Sequence, residues 1–202
     1  MKKNTIISDL DGTLYPKSNG LTKQIDQLAE SFLISETGMS KGELAKLEEL
    51  FPNILDALKA LQISEQKYYD NVHNKLDYSV LNPNTEMNKL LTSLNLKVFV
   101  VSLSPAEHIN KVLSLLQIDH LIDCTFSVAK EMSSNKGDCY KNIIQKYKLP
   151  VDEVCVVGDN YLLDIEPAQR LNISTALISS TKLSNTESFV NFVDFLKYIK
   201  EN

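Results

Sequence analysis

The chain has 202 residues, with 43% hydrophobic and 23% charged residues and a formal net charge of −5. That balance fits one folded unit with an insertion, or two small ones, and excludes a disordered or membrane-embedded chain. The 21 basic residues include a single arginine, Arg170, and are scattered among 26 acids, so no clustered basic surface is available for a nucleic-acid polymer.

The chain opens with Lys2 and Lys3 before a short apolar run that stops at Asp9, too short for a secretory signal, so a cytoplasmic protein is expected. That run, Thr5 to Asp9, reads as a buried strand. It is followed by Asp11 and Gly12. In extended backbone, residues i and i+2 share a side, so Asp9 and Asp11 are set to face one ligand while Gly12 lets the chain turn away. Two neighbouring carboxylates repel each other, which points to a divalent cation or a shared proton. An ordinary strand ending in an Asp-Gly turn accounts for the pair equally well when it is taken alone.

Residues 16–82 carry helical patterning and no convincing strand. Apolar residues recur at helical spacing from Leu21 to Leu33, Ser40 and Glu43 form a capping box, and helical pattern continues from Pro52 to Leu76. Beyond residue 83, strands and helices alternate, the signature of a parallel sheet. Strands are predicted at Val98 to Ser102, Cys124 to Ser127, Val154 to Gly158 and Ser174 to Ile178. Helices are predicted at Asn84 to Leu94, at Ala106 to Leu116 behind a capping box of Ser104 and Glu107, and at Gly137 to Tyr147. A last helix is predicted to open at a Ser184 and Glu187 box, with Phe189, Phe192, Val193, Leu196 and Tyr198 on one face. The organisation expected is an α/β Rossmann-like parallel sheet between helices, formed by residues 1–15 and 83–202, with residues 16–82 as an inserted helical cap. Cys124, Cys139 and Cys155 lack metal-site spacing and read as reduced core residues.

Three further sites fall at predicted strand ends. Ser102 closes the second strand just ahead of a helix, where a phosphate oxygen can dock. Lys136 stands at a helix start, against the dipole, and is easier to understand if it meets an anion; Lys130 competes for the same role. Asp159 sits at the tip of the fourth strand, and Asp164, from the first helical turn beyond it, can return to the same cleft as a further oxygen ligand for a hard cation. Each has a bland reading as a cap, a turn or a surface residue. Their order along the chain places all of them at the carboxyl edge of one sheet, where open parallel sheets bind ligands.

These residues closely resemble the motifs of the haloacid dehalogenase-like hydrolase superfamily, over nearly the whole chain. The DxDxT motif appears as Asp9, Asp11 and Thr13, the strand-end hydroxyl as Ser102, the lysine as Lys136, and GDxxxxD as Gly158, Asp159 and Asp164. The segments from Tyr15 to Leu21, from Val72 to Tyr78 and from Ala106 to His108 are similar to the pyrimidine 5'-nucleotidase-type branch. That branch carries Thr-Asn where this chain has Ser102-Leu103, and proline where it has Gly137. The amide's hydrogen bonds to the catalytic acids are therefore absent here or supplied elsewhere.

The resemblance implies a helical cap of the first type on a Rossmann-like core, and a Mg²⁺-dependent phosphatase working through an aspartyl-phosphate. Asp9 would be the nucleophile and Asp11 the acid-base residue, which dehalogenating members lack. Mg²⁺ would be held by Asp9, the Asp11 backbone carbonyl and Asp159, with Asp164 in support, and Ser102 and Lys136 would hold the phosphate. The substrate would be a small phosphorylated metabolite, a nucleoside 5'-monophosphate first; phosphoglycolate, a sugar phosphate or pyridoxal phosphate is the alternative, and a non-catalytic regulatory protein the remoter one. Tyr15, Phe51, Tyr68, Tyr69 and His73 are candidates to meet the leaving group, with core packing as the bland alternative for each.

Overall fold

The computed structural model describes residues 3–129, 135–181 and 186–201. Six parallel strands form one sheet: β1 (Thr5–Ser8), β2 (Lys97–Ser102), β3 (Cys124–Ser127), β4 (Val154–Gly158), β5 (Ser174–Ile178) and β6 (Glu187–Phe189). Their spatial order is β3-β2-β1-β4-β5-β6. The chain thus winds outward from β1 in both directions, and the crevice at that reversal lies at the carboxyl ends of β1, β2 and β4.

The strands are near-continuous apolar runs because both faces are covered. Side chains alternate across the sheet: Ile6, Val98, Val100, Cys155 and Val157 enter one core, and Ile7, Phe99, Val101, Val154 and Val156 the other. Helices α5 (Thr85–Leu94), α6 (Ala106–Leu115) and α9 (Phe192–Glu201) close the first core with residues such as Met87, Ile109 and Phe195. Helices α7 (Lys136–Tyr147) and α8 (Glu166–Gln169) close the second with Tyr140, Ile143 and Ala168.

Residues 16–82 are helical. Helices α1 (Leu21–Thr37), α2 (Lys41–Leu50), α3 (Ile54–Ala60) and α4 (Glu65–Asn71) lie between β1 and α5, with short 3₁₀ turns at Lys17–Asn19 before them and at His73–Lys75 and Tyr78–Val80 after them. The Ser40 and Glu43 box caps α2 as its sequence predicts. Apolar residues of this block, among them Phe32, Leu44, Leu58 and Tyr68, run into the same core as Ile7 and Phe99, so the block is packed onto the sheet by continuous apolar burial.

Two local expectations are corrected. Glu187 to Phe189 is a strand rather than the start of the last helix, which begins at Phe192, where Asn191 Oδ1 accepts from the Asp194 amide at 2.9 Å. Pairing of Ala176 to Ile178 with Glu187 to Phe189 overrides the local helical pattern; Ser184 lies outside the described residues. Ser104 does not cap α6, because its hydroxyl is bonded elsewhere and Pro105 occupies the cap position without a side-chain bond. The three cysteines form no disulfide. Among the described residues, no helix is long and apolar enough to cross a membrane.

Candidate active site

The register of the central strands builds the site. Ser8 lies level with Val100 of β2 and Val157 of β4, and the Asp9 amide continues the ladder to Val157 O at 2.8 Å. Asp9 therefore emerges between the end of β2, which carries Ser102, and the end of β4, which carries Asp159. Gly12 makes the turn beyond Asp11 with φ +85°, a left-handed conformation that glycine adopts without strain, and a Cβ there would stand 2.6 Å from Asp159 Oδ2. The first motif and the fourth are thus in direct apposition.

After β4, Asn160 accepts the amides of Leu162 and Leu163 through its side chain, and residues Tyr161–Ile165 form a π-helical turn. This turn brings Asp164 back over the strand end, where its carboxylate is fully buried and accepts from the Asn160 amide at 3.0 Å. The Asp164 side chain occupies the space a Cβ on Gly158 would need, so that glycine is required by close approach rather than by backbone angle.

Lys136, the first residue of α7, is 5% exposed and donates to Asp9 Oδ1 at 2.5 Å and Asp164 Oδ1 at 2.6 Å. Asn135 caps this helix by accepting from the Asp138 amide, leaving Lys136 to turn inward. Lys130 lies outside the described residues. Burial disfavours charge on Lys136, yet Asp164 and Asp9 hold its ammonium well above the ordinary lysine range. Burial pushes Asp9 the other way, toward the neutral acid, and Asp164, Asp159 and Asp11 add to that push against the relief from Lys136. Asp164 is raised for the same leading reason. The pocket holds more carboxylate than its ammonium can balance.

Asp9, Asp159 and Asp164 each present an oxygen within 4.8 Å of the others. Hard oxygen donors, surplus negative charge and this spacing suit Mg²⁺. Lys17 currently meets Asp159 Oδ2 at 2.5 Å while remaining largely exposed.

Asp11 lines the same cleft but has different partners. Tyr15 donates to its Oδ1 at 2.5 Å, Ser104 to its Oδ2 at 2.7 Å and Ser102 to Oδ2 at 3.3 Å, while His108 Nε2 lies 2.7 Å from Oδ1. Burial alone would raise its pKa, but His108, Tyr15 and Ser104 together overcome that and hold the carboxyl well below the usual range. Asp11 is thus held by neighbours on both sides of the cleft, with no side-chain contact from Leu103. Ser102 also accepts from the Ser104 amide at 3.0 Å, so its hydroxyl faces the acid and the turn rather than solvent.

The cleft encloses about 290 Å³, walled on one side by the acid cluster and on the other by Ile25, Asp26, Ile54, Tyr68 and His73 of the helical block. Of the aromatic candidates, Tyr68 and His73 line it. Tyr15 spends its hydroxyl on Asp11, while Tyr69 and Phe51 line neighbouring cavities. Sequence reasoning missed Ser104, misread as a cap, and the Lys17 pairing with Asp159. A hydroxyl at every second residue, Ser102 and Ser104, was the available signal for the first.

A family model described as haloacid dehalogenase-like hydrolase matches residues 6–178. No curated protein sequence gives a significant match to the chain. Solved structures of similar fold include an HAD phosphatase from Thermococcus onnurineus, with TM-score 0.64, 16% identity and 98% of each chain covered. The HAD-hydrolase YfnB from Bacillus subtilis, bound to magnesium, aligns at TM-score 0.68 and 11% identity, covering 99% of this chain and 100% of that one. The L-2-haloacid dehalogenase from Xanthobacter autotrophicus aligns at 0.61 and 16% identity, with 98% of each chain covered.

Proposed function

The chain belongs to the haloacid dehalogenase-like hydrolase family, and on that premise we propose that it is a Mg²⁺-dependent phosphatase that hydrolyses small phosphomonoesters through an aspartyl-phosphate on Asp9. The observation that carries this reading is Asp11, a second carboxylate in the wall of the same cleft. A halide departs as a weak base and needs no proton, whereas an alkoxide leaving phosphorus does, so an acid-base residue beside the nucleophile favours phosphate over halide chemistry. In this reading residues 16–82 form a cap over a core of residues 1–15 and 83–202, and the enzyme acts in the cytoplasm.

Asp9 attacks phosphorus, and its carboxylate becomes the mixed anhydride that water later clears, splitting one difficult displacement into two. Its Oδ2 accepts from Thr13 at 3.1 Å and its Oδ1 from Lys136, which fixes the direction of attack. Asp11 protonates the departing alcohol and then takes a proton from the attacking water. At rest its partners hold it ionised, ready for the second step; for the first it must take up a proton, and His108 Nε2 lies 2.7 Å from its Oδ1. Lys136, at the start of α7, and Ser102, at the end of β2, meet phosphoryl oxygens. Asp9, Asp159 and the Asp11 backbone carbonyl would hold Mg²⁺, with Asp164 in support. Once bound, the ion supplies charge neutralisation for the transferring group.

Nucleoside 5'-monophosphates are the first substrates to try, a choice supported by the rings of Tyr68 and His73 in the cleft. Steady-state phosphate release across a panel of nucleotides, sugar phosphates, phosphoglycolate and pyridoxal phosphate, with and without Mg²⁺, tests the proposal. Release that needs Mg²⁺ and favours nucleotides supports it; release of halide from 2-haloacids with no phosphate release from any ester would overturn it.

A further inference from the structure

Asp11 is tied to the helical block through a buried imidazole. His108, on α6, has a fully buried side chain and uses both of its ring nitrogens. Nε2 lies 2.7 Å from Asp11 Oδ1, and Nδ1 lies 2.9 Å from the Tyr78 hydroxyl oxygen. An ionised carboxylate only accepts, so Nε2 carries a proton toward Asp11. In the neutral ring Nδ1 is then a lone pair, and the Tyr78 hydroxyl donates to it. In the charged ring Nδ1 donates instead, and the hydroxyl can turn its own proton to the His73 carbonyl oxygen, 3.4 Å away. Tyr78 therefore bonds His108 in either state, and in both a proton on Nε2 faces Asp11.

Tyr78 is itself held. It opens the 3₁₀ turn Tyr78–Val80, is partly buried, and has Lys111 Nζ 3.9 Å from its ring centroid. His108 and Lys111 lie three residues apart on α6 and so share a face, which grips the tyrosine at its hydroxyl and over its ring. His73 packs edge-on against His108, with centroids 5.1 Å apart and an interplanar angle of 81°. Bonds at both nitrogens select the tautomer and fix the rotation of the imidazole; removing the hydroxyl releases one of the two. Only the Asp11 backbone carbonyl would meet Mg²⁺, so the ion competes for none of these side-chain bonds.

We infer that Tyr78 is a positioning residue for Asp11: through His108 it keeps a proton on the nitrogen that faces the carboxylate and fixes the ring that orients it. Residues 16–82 thereby take part in proton transfer as well as walling the cleft. The effect on the reaction rests on the phosphatase reading above, whereas the effect on His108 rests on the hydrogen bonds alone.

Tyr78→Phe tests it by removing the hydroxyl and keeping the ring. Phenyl phosphate and p-nitrophenyl phosphate are close in shape and differ in how far the leaving group needs a proton. With Mg²⁺ present, the ratio of their kcat/KM values, phenyl over p-nitrophenyl, should fall about fivefold or more in the variant. A loss of folded enzyme lowers both rates alike and leaves that ratio where it was. NMR of the histidine ring nitrogens should show a proton on His108 Nε2 in the parent and a displaced Nδ1 signal in the variant. An unchanged or raised ratio, His108 nitrogen signals that Tyr78→Phe does not move, or a ring whose only proton sits on Nδ1 would overturn the inference. If no ester is hydrolysed, the phosphatase reading fails, and the nitrogen signals alone decide whether Tyr78 sets the ring of His108.

Discussion

Asp9 and Asp11 are the same residue type, one residue apart, in one cleft, yet their surroundings push them in opposite directions. Asp9 sits among charges: Lys136 at 2.5 Å, with Asp159 and Asp164 close enough to share a cation. Burial and those neighbouring acids raise it. Asp11 sits among donors, held by His108, Tyr15 and Ser104, and is lowered despite burial. An ionic surrounding can be exchanged for another cation, which suits the proposed double role of Asp9 in binding metal and attacking phosphorus. A fixed ring of hydrogen bonds instead sets orientation, which suits proton transfer.

Substitutions on each side should separate these roles. Replacing the proposed nucleophile, Asp9→Asn, should reduce phosphate release by on the order of 10⁴-fold or more, with steady-state kinetics as the measure. Asp11→Asn should cost about 10²–10⁴-fold on alkyl phosphates but much less on p-nitrophenyl phosphate, whose leaving group needs little protonation; an equal loss on both would remove Asp11 from the proton-transfer role. Lys136→Met leaves buried acids without their ammonium and should destabilise the fold by about 3–5 kcal/mol in denaturant titration. Added Mg²⁺ should recover part of that loss by binding the folded state.

The smallest effect concerns His73, on the Asp11 side. Burial, with His108 beside it, lowers its pKa from 6.5 to about 4. The folded state therefore resists a proton that the unfolded chain accepts. The stability this neutral ring contributes is complete above pH 6.5 and is lost as pH falls toward 4. The loss amounts to at most about 3 kcal/mol. In His73→Leu, urea midpoints measured from pH 7 to pH 4 should fall less steeply than in the parent protein, and an unchanged slope would show that other groups carry the acid sensitivity.

Much of the scaffold is legible in the chain itself. Val154–Gly158 and Ser174–Ile178 were read with the bounds the structure gives them, because doubly covered parallel strands are continuous apolar runs. The last helix was misread because Phe189 fits a helical face, and only pairing with β5 makes it strand. In the cleft, Asp9, Ser102 and Asp159 could be found by their places at or just past strand ends, Asp164 by the turn after β4 and Lys136 by its place at a helix start. The places of Ser104 and His108 beside Asp11 could not. Ser104 has the local pattern of a helix cap, and His73 and His108 come from segments with no sequence relation to Asp9. Their ring centroids lie 5.1 Å apart only once the helical block is seated.

What the sequence by itself determined is the list of acids, two candidate lysines and the succession along the chain of the strands that precede them, since short-range patterning of apolar runs, turns and caps is written locally. What only tertiary structure decided is which carboxylate is crowded by other acids and which is ringed by His108, Tyr15 and Ser104, and that His73 Nδ1 is left without a hydrogen-bond partner among the described residues. Those properties depend on burial and on atoms 2.5–3.3 Å apart that are contributed by residues as distant as Asp9 and Lys136, or His73 and Ser104. Electrostatics and hydrogen bonding at that range exist only after the chain has closed around them.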